Sequence, residues 1–396
     1  MDNLTHSLVG AALAQAALPD GAGRPQRRLF LAAGILAANL PDADLLYVGI
    51  TPPPIGYLLH HRGHTHTLVG LLAQGVILAA LCHAVPHLRR LIAVDRARIR
   101  WLIAVALLTH VLLDAGNTYG VHPFHPFDRR WYYGDAVFIF EPWLWLLFGL
   151  PVAWNAGRFA RIALFALLAV LPILLSVAGV VPRAAVAALA VAGLLLGWWV
   201  RRLSVRTRAL AGLAAGTLFI AFLAGLAALA RATTRALVGP HVRGEVVDIV
   251  LSPNPADPAC WTVIAIEKDE RGGGFAHHRG TLSLAPGWRP PTACASHRLA
   301  GRSATRVAGG RLAWNDEVRQ PLETLRGLSE RDCWAKAWLQ FGRAPALRDG
   351  EIVDLRFDHG PRDNFTAMPV DPGRAGCPAH VTPWALPRAD LLASSP

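Results

Sequence analysis

A chain of 396 residues that is 53% hydrophobic and only 17% charged is too apolar for an ordinary soluble protein, and its apolar residues gather in the first 230 positions. The formal charge of +12 rests on arginine, because Lys268 and Lys336 are the only lysines. These arginines stand in short clusters between apolar runs, with no basic helix or aromatic platform among them, which excludes nucleic acid as a partner and points to a membrane.

In chain order, residues 5–18 form a short apolar stretch. Asp2 precedes it with no basic residue, the wrong start for a cleaved secretion signal, so the stretch is expected to stay in the mature chain. Apolar runs come next at 28–48, 66–84, 100–116, 136–153, 159–180, 184–200 and 209–230. A span needs roughly 20 apolar residues, with a lower limit near 17, so eight helices are expected, seven of them embedded. Arg24, Arg27 and Arg28 open a series of arginine-rich loops that continues at 89–100, 158–161 and 201–208. The alternate loops hold only Arg62, Arg129, Arg130 and Arg183. That bias places the rich loops in the cytoplasm and everything after residue 231 outside.

Residues 231–396 change character. Val246–Val250, Trp261–Ile266 and Glu351–Phe357 alternate as strands do, between turn signals at Pro253–Pro258, Gly272–Gly274 and Gly309-Gly310. A helix is expected over Ser329–Gly342, with Ser329 as N-cap and Asp332 at its third position. Cys260, Cys294, Cys333 and Cys377 suit one or two disulfides in an oxidising compartment, with three pairings open, while Cys82 is a packing residue. The expected architecture is mainly α: a polytopic membrane helix bundle of seven to eight helices with a C-terminal β-rich soluble domain. Its parts are residues 1–150, 151–230 with additional helices, and 231–396.

The polar residues of the membrane half fall at one depth. His6 starts the first helix; Asp42 and Asp44 come after a break at Pro41; His61, His64 and His66 precede the third long run; His110 and Asp114 end the fourth. Ionisable groups in membrane helices are costly and mark function. His110 and Asp114 at i,i+4 share a helix face and reach one ion, or form a metal-free buried pair. Asp42 and Asp44 at i,i+2 diverge on a regular helix, but Pro41 allows both to turn inward, one as ligand and one as base, or they only cap the helix. Gly63 permits a turn and the threonines cap the next helix, leaving His60 and His64 as interfacial residues. Arg62 could hold an anionic group by paired hydrogen bonds or simply anchor at the interface. Glu141, before Pro142, is a further ligand or base. The aromatics of 117–135 fit an interfacial belt, and His277, His278 and His359 are surface residues. Asn364-Phe365-Thr366 is a glycosylation sequon.

Met1-Asp2-Asn3-Leu4-Thr5-His6-Ser7-Leu8, Leu40-Pro41-Asp42-Ala43-Asp44, His61-Arg62-Gly63-His64-Thr65-His66-Thr67, His110-Val111-Leu112-Leu113-Asp114 and Asn117-Thr118-Tyr119-Gly120 together resemble the YdjM-like family of inner-membrane metal-dependent hydrolases. The resemblance covers roughly residues 1–150. It implies a bacterial inner-membrane protein with a metal site on His6, Asp42, Asp44, His61, His66, His110 and Asp114. Glu141-Pro142 departs from the family's Asp-Pro, which puts the reach of that carboxylate in question. More distantly, the His-x-x-x-Asp helix looks like the all-helical zinc phospholipase C group, which implies phosphoester cleavage.

The expectation is a hydrolase at the periplasmic face, with one or two divalent ions, zinc foremost, and a substrate that is amphipathic or lipid-linked. Asp42, Asp44, Arg62 and Glu141 are its candidate catalytic groups. A non-catalytic metal-binding scaffold or sensor is the alternative, and a transporter is disfavoured because the last three membrane helices carry no ionisable residue at depth.

Overall fold

The computed structural model describes residues 1–93, 95–294, 304–358, 364–371 and 373–393. Each apolar stretch of the membrane half forms a helix: α1 (Asn3–Ala17) and α2 (Arg24–Asn39), then, after the short α3 (Ile55–His60), α4 (Leu68–Ala84). The short α5 (Pro86–Ile92) leads into α6 (Arg96–Ala115), with α7 (Pro142–Asn155), α8 (Arg158–Val177), α9 (Arg183–Val200) and α10 (Val205–Val238) beyond it.

Local chemistry sets the boundaries. Asp2 caps α1 by accepting from the Thr5 amide at 2.9 Å, and Thr67 caps α4 by accepting from the Gly70 amide at 2.8 Å. Pro41 ends α2, and the chain continues as a 3-10 turn over Leu40–Leu46 that carries both aspartates. Gly10 of α1 and Gly34 of α2 face each other so closely that a methyl group on either would overlap the other's carbonyl, which brings these helices together beneath the cluster.

Four stretches among the described residues are long and apolar enough to cross a membrane: Arg24–Ile50, α8, α9 and Val205–His241. Ile55–His66 and Leu68–Ala84, bent by 66°, give a fifth if they count as one span. The expected seven is the larger number because α7 has only 14 residues and α6 carries three arginines and Asp114, while α4 counts only together with the bent segment before it. By contrast α10, at 34 residues, is about 51 Å long, well beyond a hydrocarbon core of roughly 30 Å. Its last turns therefore project out to meet the C-terminal region.

That region holds β1 (Glu245–Asn254), β2 (Asp257–Asp269), β3 (Gly274–Ser283), β4 (Arg306–Ala308) and β5 (Leu312–Pro321) in an antiparallel sheet of order β1-β2-β3-β5-β4. Then come α11 (Leu322–Arg331), α12 (Cys333–Leu339), the small sheet β6 (Pro345–Arg348), β7 (Glu351–Asp354) and β8 (Met368–Pro369), and α13 (Ala389–Leu392). Cys260 pairs with Cys294 and Cys333 with Cys377, one of the three pairings left open.

Several expectations are corrected. No single helix spans Ser329–Gly342: Ser329 lies inside α11, and Asp332 breaks the run by capping α12 through the amides of Trp334 and Ala335. The strand at Glu351 ends at Asp354 and becomes a 3-10 turn. His277 and His278 are buried within β3 rather than on the surface. His359 lies outside the described residues. The Asn364 amide donates inward to the Asp354 carbonyl and accepts from Thr366, so the sequon residues are part of the domain's packing.

The aromatic loop 117–135 is not only a lipid belt. Tyr119 and Trp131 are buried with Phe341, Phe357 and Trp384, while Phe124 and Phe127 remain exposed. Trp131 Nε1 donates to the Gln340 carbonyl at 2.7 Å, Trp384 Nε1 to the Leu59 carbonyl at 2.8 Å, and the buried Arg356 to the Thr118 carbonyl at 2.7 Å. Arg343 grips Asp135 through two bonds of 2.9 Å and also pairs with Asp248, while Arg231 of α10 reaches Asp135 at 2.7 Å. The C-terminal region is thus fastened to the end of the bundle where the histidines gather.

Acid sensitivity is built into this sheet. Burial holds the His277 imidazole down to about 3, and neither ring nitrogen has a hydrogen-bond partner. Burial raises the Glu267 carboxyl, but hydrogen bonds from His278, the amides of Arg243 and Gly244, and Arg319 outweigh it and hold the group at about 2. Both folded values lie below the ordinary ones of 6.5 and 4.5, so the unfolded chain takes up protons first as pH falls. Stability should decline from pH 6.5 downward, first through His277 and below 4.5 through Glu267. Thermal unfolding between about pH 7 and 4 measures this, with a shallower decline expected for His277→Leu; a midpoint independent of pH would contradict it.

Candidate metal centre

Four side chains from three segments converge. Asp42 comes from the turn after α2, His66 from the 3-10 turn (His64–His66) before α4, and His110 and Asp114 from one face of α6. His66 Nε2 and His110 Nε2 lie 3.1 Å apart. Each stands 3.6 and 3.5 Å from Asp42 Oδ1, and 3.3 and 3.5 Å from Asp114 Oδ2. A regular tetrahedron of atoms about 2.0–2.1 Å from one ion has edges of roughly 3.3–3.4 Å. Five of the six edges of this quartet fall between 3.1 and 3.6 Å.

The hydrogen bonds fix which nitrogens carry protons. His110 Nδ1 donates to the Ala38 carbonyl at 2.7 Å, which leaves Nε2 as a bare lone pair. His66 Nδ1 is 3.3 Å from Asp44 Oδ2 and 3.0 Å from Thr65 Oγ1, so its Nε2 is bare as well. Two lone pairs facing each other at 3.1 Å repel unless a positive charge lies between them. The donor set and its geometry therefore fit a metal ion.

Asp44 has a different part. Its two oxygens take His61 Nδ1 at 3.0 Å, the Arg62 amide at 2.8 Å, Thr65 Oγ1 at 2.9 Å and His66 Nδ1. Asp42, Asp44 and His61 also lie within ligand spacing of one another, but Oδ2 of Asp44 is taken by three of these donors and Oδ1 by His61, so most of its acceptor capacity is already spent. It orients the histidines, as carboxylates behind metal-bound imidazoles do. His61, stacked on Tyr57 with ring centroids 5.0 Å apart, keeps Nε2 toward the outside.

His6 is fully buried, stacks on His110 at 3.8 Å between centroids, and has Nε2 3.4 Å from Asp114 Oδ1. Neither of its ring nitrogens has a hydrogen-bond partner. The Met1 amino group also meets Asp114 Oδ1. Arg62, left-handed at φ 61° and buried, sets its guanidinium on Asp114 Oδ2 (3.1 Å) and Asn117 Oδ1 (2.9 Å), with Tyr119 beneath. Among the expected residues Glu141 is the one not brought in. It caps α7 at Trp143 and receives the Ala256 amide from the β1–β2 turn, so it fastens the sheet to the bundle. His60 is buried and bonded to Thr51, and His64 packs near His125 and Trp384. Sequence reasoning misses Asn3, Asn117 and the Ala38 carbonyl, since amides and carbonyls carry no composition signal of a metal site.

The model of the family described as YdjM inner membrane protein matches residues 1–186. The chain is 26% identical over 162 residues to the Bacillus subtilis (strain 168) "Uncharacterized protein YfhP", covering 40% of this chain and 47% of that one. It is 36% identical over 121 residues to the Escherichia coli (strain K12) "Inner membrane protein YbcI", covering 30% of this chain and 61% of that one. The matches therefore span about half to three-fifths of these relatives' own lengths. No solved structure matches. The histidine and aspartate cluster and the first eight helices fall within residues 1–186, the stretch that is similar to the YdjM inner membrane protein family.

Proposed function

We propose that the chain is a metal-dependent hydrolase of the bacterial inner membrane, with its centre at the periplasmic face and a phosphoester in an amphipathic or lipid-linked molecule as its target. The observation that carries the metal is the pair of bare Nε2 atoms at 3.1 Å, flanked by Asp42 and Asp114. Asp42, His66, His110 and Asp114 would hold one ion, with His6 beside them. Bound there, a zinc-type ion supplies Lewis acidity and lowers the pKa of water to about 7. Asp44 keeps His61 and His66 oriented, and Arg62 holds Asp114 in place. Asp42 and His61 are the groups a reacting molecule can reach, each with 10% of its side chain exposed, and His61 Nε2 is free to carry a proton.

Support for the periplasmic side comes from helix direction. α2 and α6 begin at arginine clusters and end at the aspartates and histidines, so the cluster lies opposite the arginine-rich side. A second reading, a metal-binding scaffold, is favoured by one observation: four protein ligands close a tetrahedron, whereas a catalytic site keeps a position open. To separate them, the purified protein loaded with zinc is assayed on lipid and soluble phosphoesters beside Asp42→Asn. Hydrolysis by the wild type that the variant loses supports the enzyme. Full metal occupancy with no turnover on any phosphoester overturns it in favour of the scaffold.

A further inference from the structure

The cluster is sealed except along one edge. His6, His66, His110 and Asp114 have side chains 0–1% exposed, and Asp42 and His61 form the open side. Two unlike borders flank that opening. On the α1 side Asn3 donates to Asp42 Oδ2 at 3.2 Å and to Asn39 Oδ1 at 3.4 Å, and Asn39 donates to Ser7 Oγ at 3.1 Å. This file of carboxamides and a hydroxyl runs across the outer ends of α1 and α2. The 3-10 turn that carries Asp42 and Asp44 also bares Leu45 and Leu46, the latter 90% exposed, and the next turn bares Ile50. Ile35 and Leu36, in the last turns of α2, are exposed as well.

A leucine left in water forgoes the stabilisation that burial would give it, so bare leucines beside a membrane helix belong in hydrocarbon. The polar file next to them belongs at headgroup depth. We propose that the centre is entered sideways from the outer leaflet, through a mouth between Asn3 and Leu46. Its occupant is a phosphate-bearing lipid, with the headgroup against Asn3, Asn39 and His61 and an acyl chain over Leu46 and Ile50. The geometry suits no free phosphate, for which the apolar border would be useless. The proposal rests on the reading of this centre as a hydrolase, and its test reads occupancy without turnover, so the two fail separately.

A nitroxide is placed at Leu46→Cys in a Cys82→Ala background, with both disulfides intact, and the full chain is reconstituted in nanodiscs of phosphatidylethanolamine and phosphatidylglycerol. Collisions with oxygen should exceed those with chromium oxalate several-fold, as at a Leu36→Cys reference; the reverse ratio overturns the sideways mouth. A phosphatidylglycerol carrying a diazirine in its acyl chain should crosslink to the peptide containing residues 40–50. Leu46→Arg, or Leu46→Gln if the arginine variant does not fold, should lower that labelling several-fold, and unchanged labelling overturns the assigned occupant.

Discussion

Replacing His66 by alanine should empty the centre. The wild type is expected to hold about one divalent ion per chain and the variant close to none, because His66 supplies one of the four tetrahedral donors. The loss should exceed the roughly 10–100-fold in affinity that comes from removing a partner behind a ligand. Ion binding to the folded chain also raises its stability, by about 4 kcal/mol at an ion concentration roughly 1,000 times Kd. A chelator should therefore lower the unfolding midpoint of the wild type and leave that of His66→Ala unmoved. Equal metal content in the two proteins would remove His66 from the site.

Asp44→Ala should damage the fold and the metal site together. Four donors converge on this carboxylate, from Arg62, Thr65, His61 and His66. Should two of them stay buried and unpaired, at about 1–3 kcal/mol each, stability falls by roughly 2–6 kcal/mol. Metal affinity should drop roughly 10–100-fold, since His66 loses the partner that fixes its ring and proton. Asp42→Ala makes the contrast: its carboxylate receives only Asn3 besides facing the histidines, so it should lose metal with far less loss of stability. Chelator competition and thermal unfolding on the two variants decide the matter. Asp44→Ala as stable as the wild type would show that the carboxylate is a ligand and not an organiser.

The helices are legible in the sequence because a run of apolar residues has the same meaning wherever it packs, and each such run forms one. The cluster is legible because ionisable residues are rare at membrane depth, so His6, Asp42, His66, His110 and Asp114 stand out from four separate segments. Their division of labour is not. Asp42 and Asp44 look alike in sequence, and only the turn after Pro41 decides that one faces the imidazole nitrogens while the other sits behind them. Glu141 fails for a related reason: an acid before a helix-starting proline reads equally as a ligand or a cap, and the Ala256 amide that claims it is 115 residues away. Tyr119 and Trp131 read as interfacial because an aromatic has the same pattern against lipid or protein. The C-terminal region supplies the partners that bury them. His277 and His278 mislead because a sheet covered on both faces loses the alternation that separates inside from outside.

The central proposal is that one metal ion, zinc foremost, would sit between His66 and His110, held also by Asp42 and Asp114. Anomalous scattering from crystals of the zinc-loaded full-length protein, recorded on both sides of the zinc edge, tests it most directly. The account predicts a single peak among those four side chains, with Asp44 outside its coordination. No peak there, or one centred on Asp44 and His61, would contradict it.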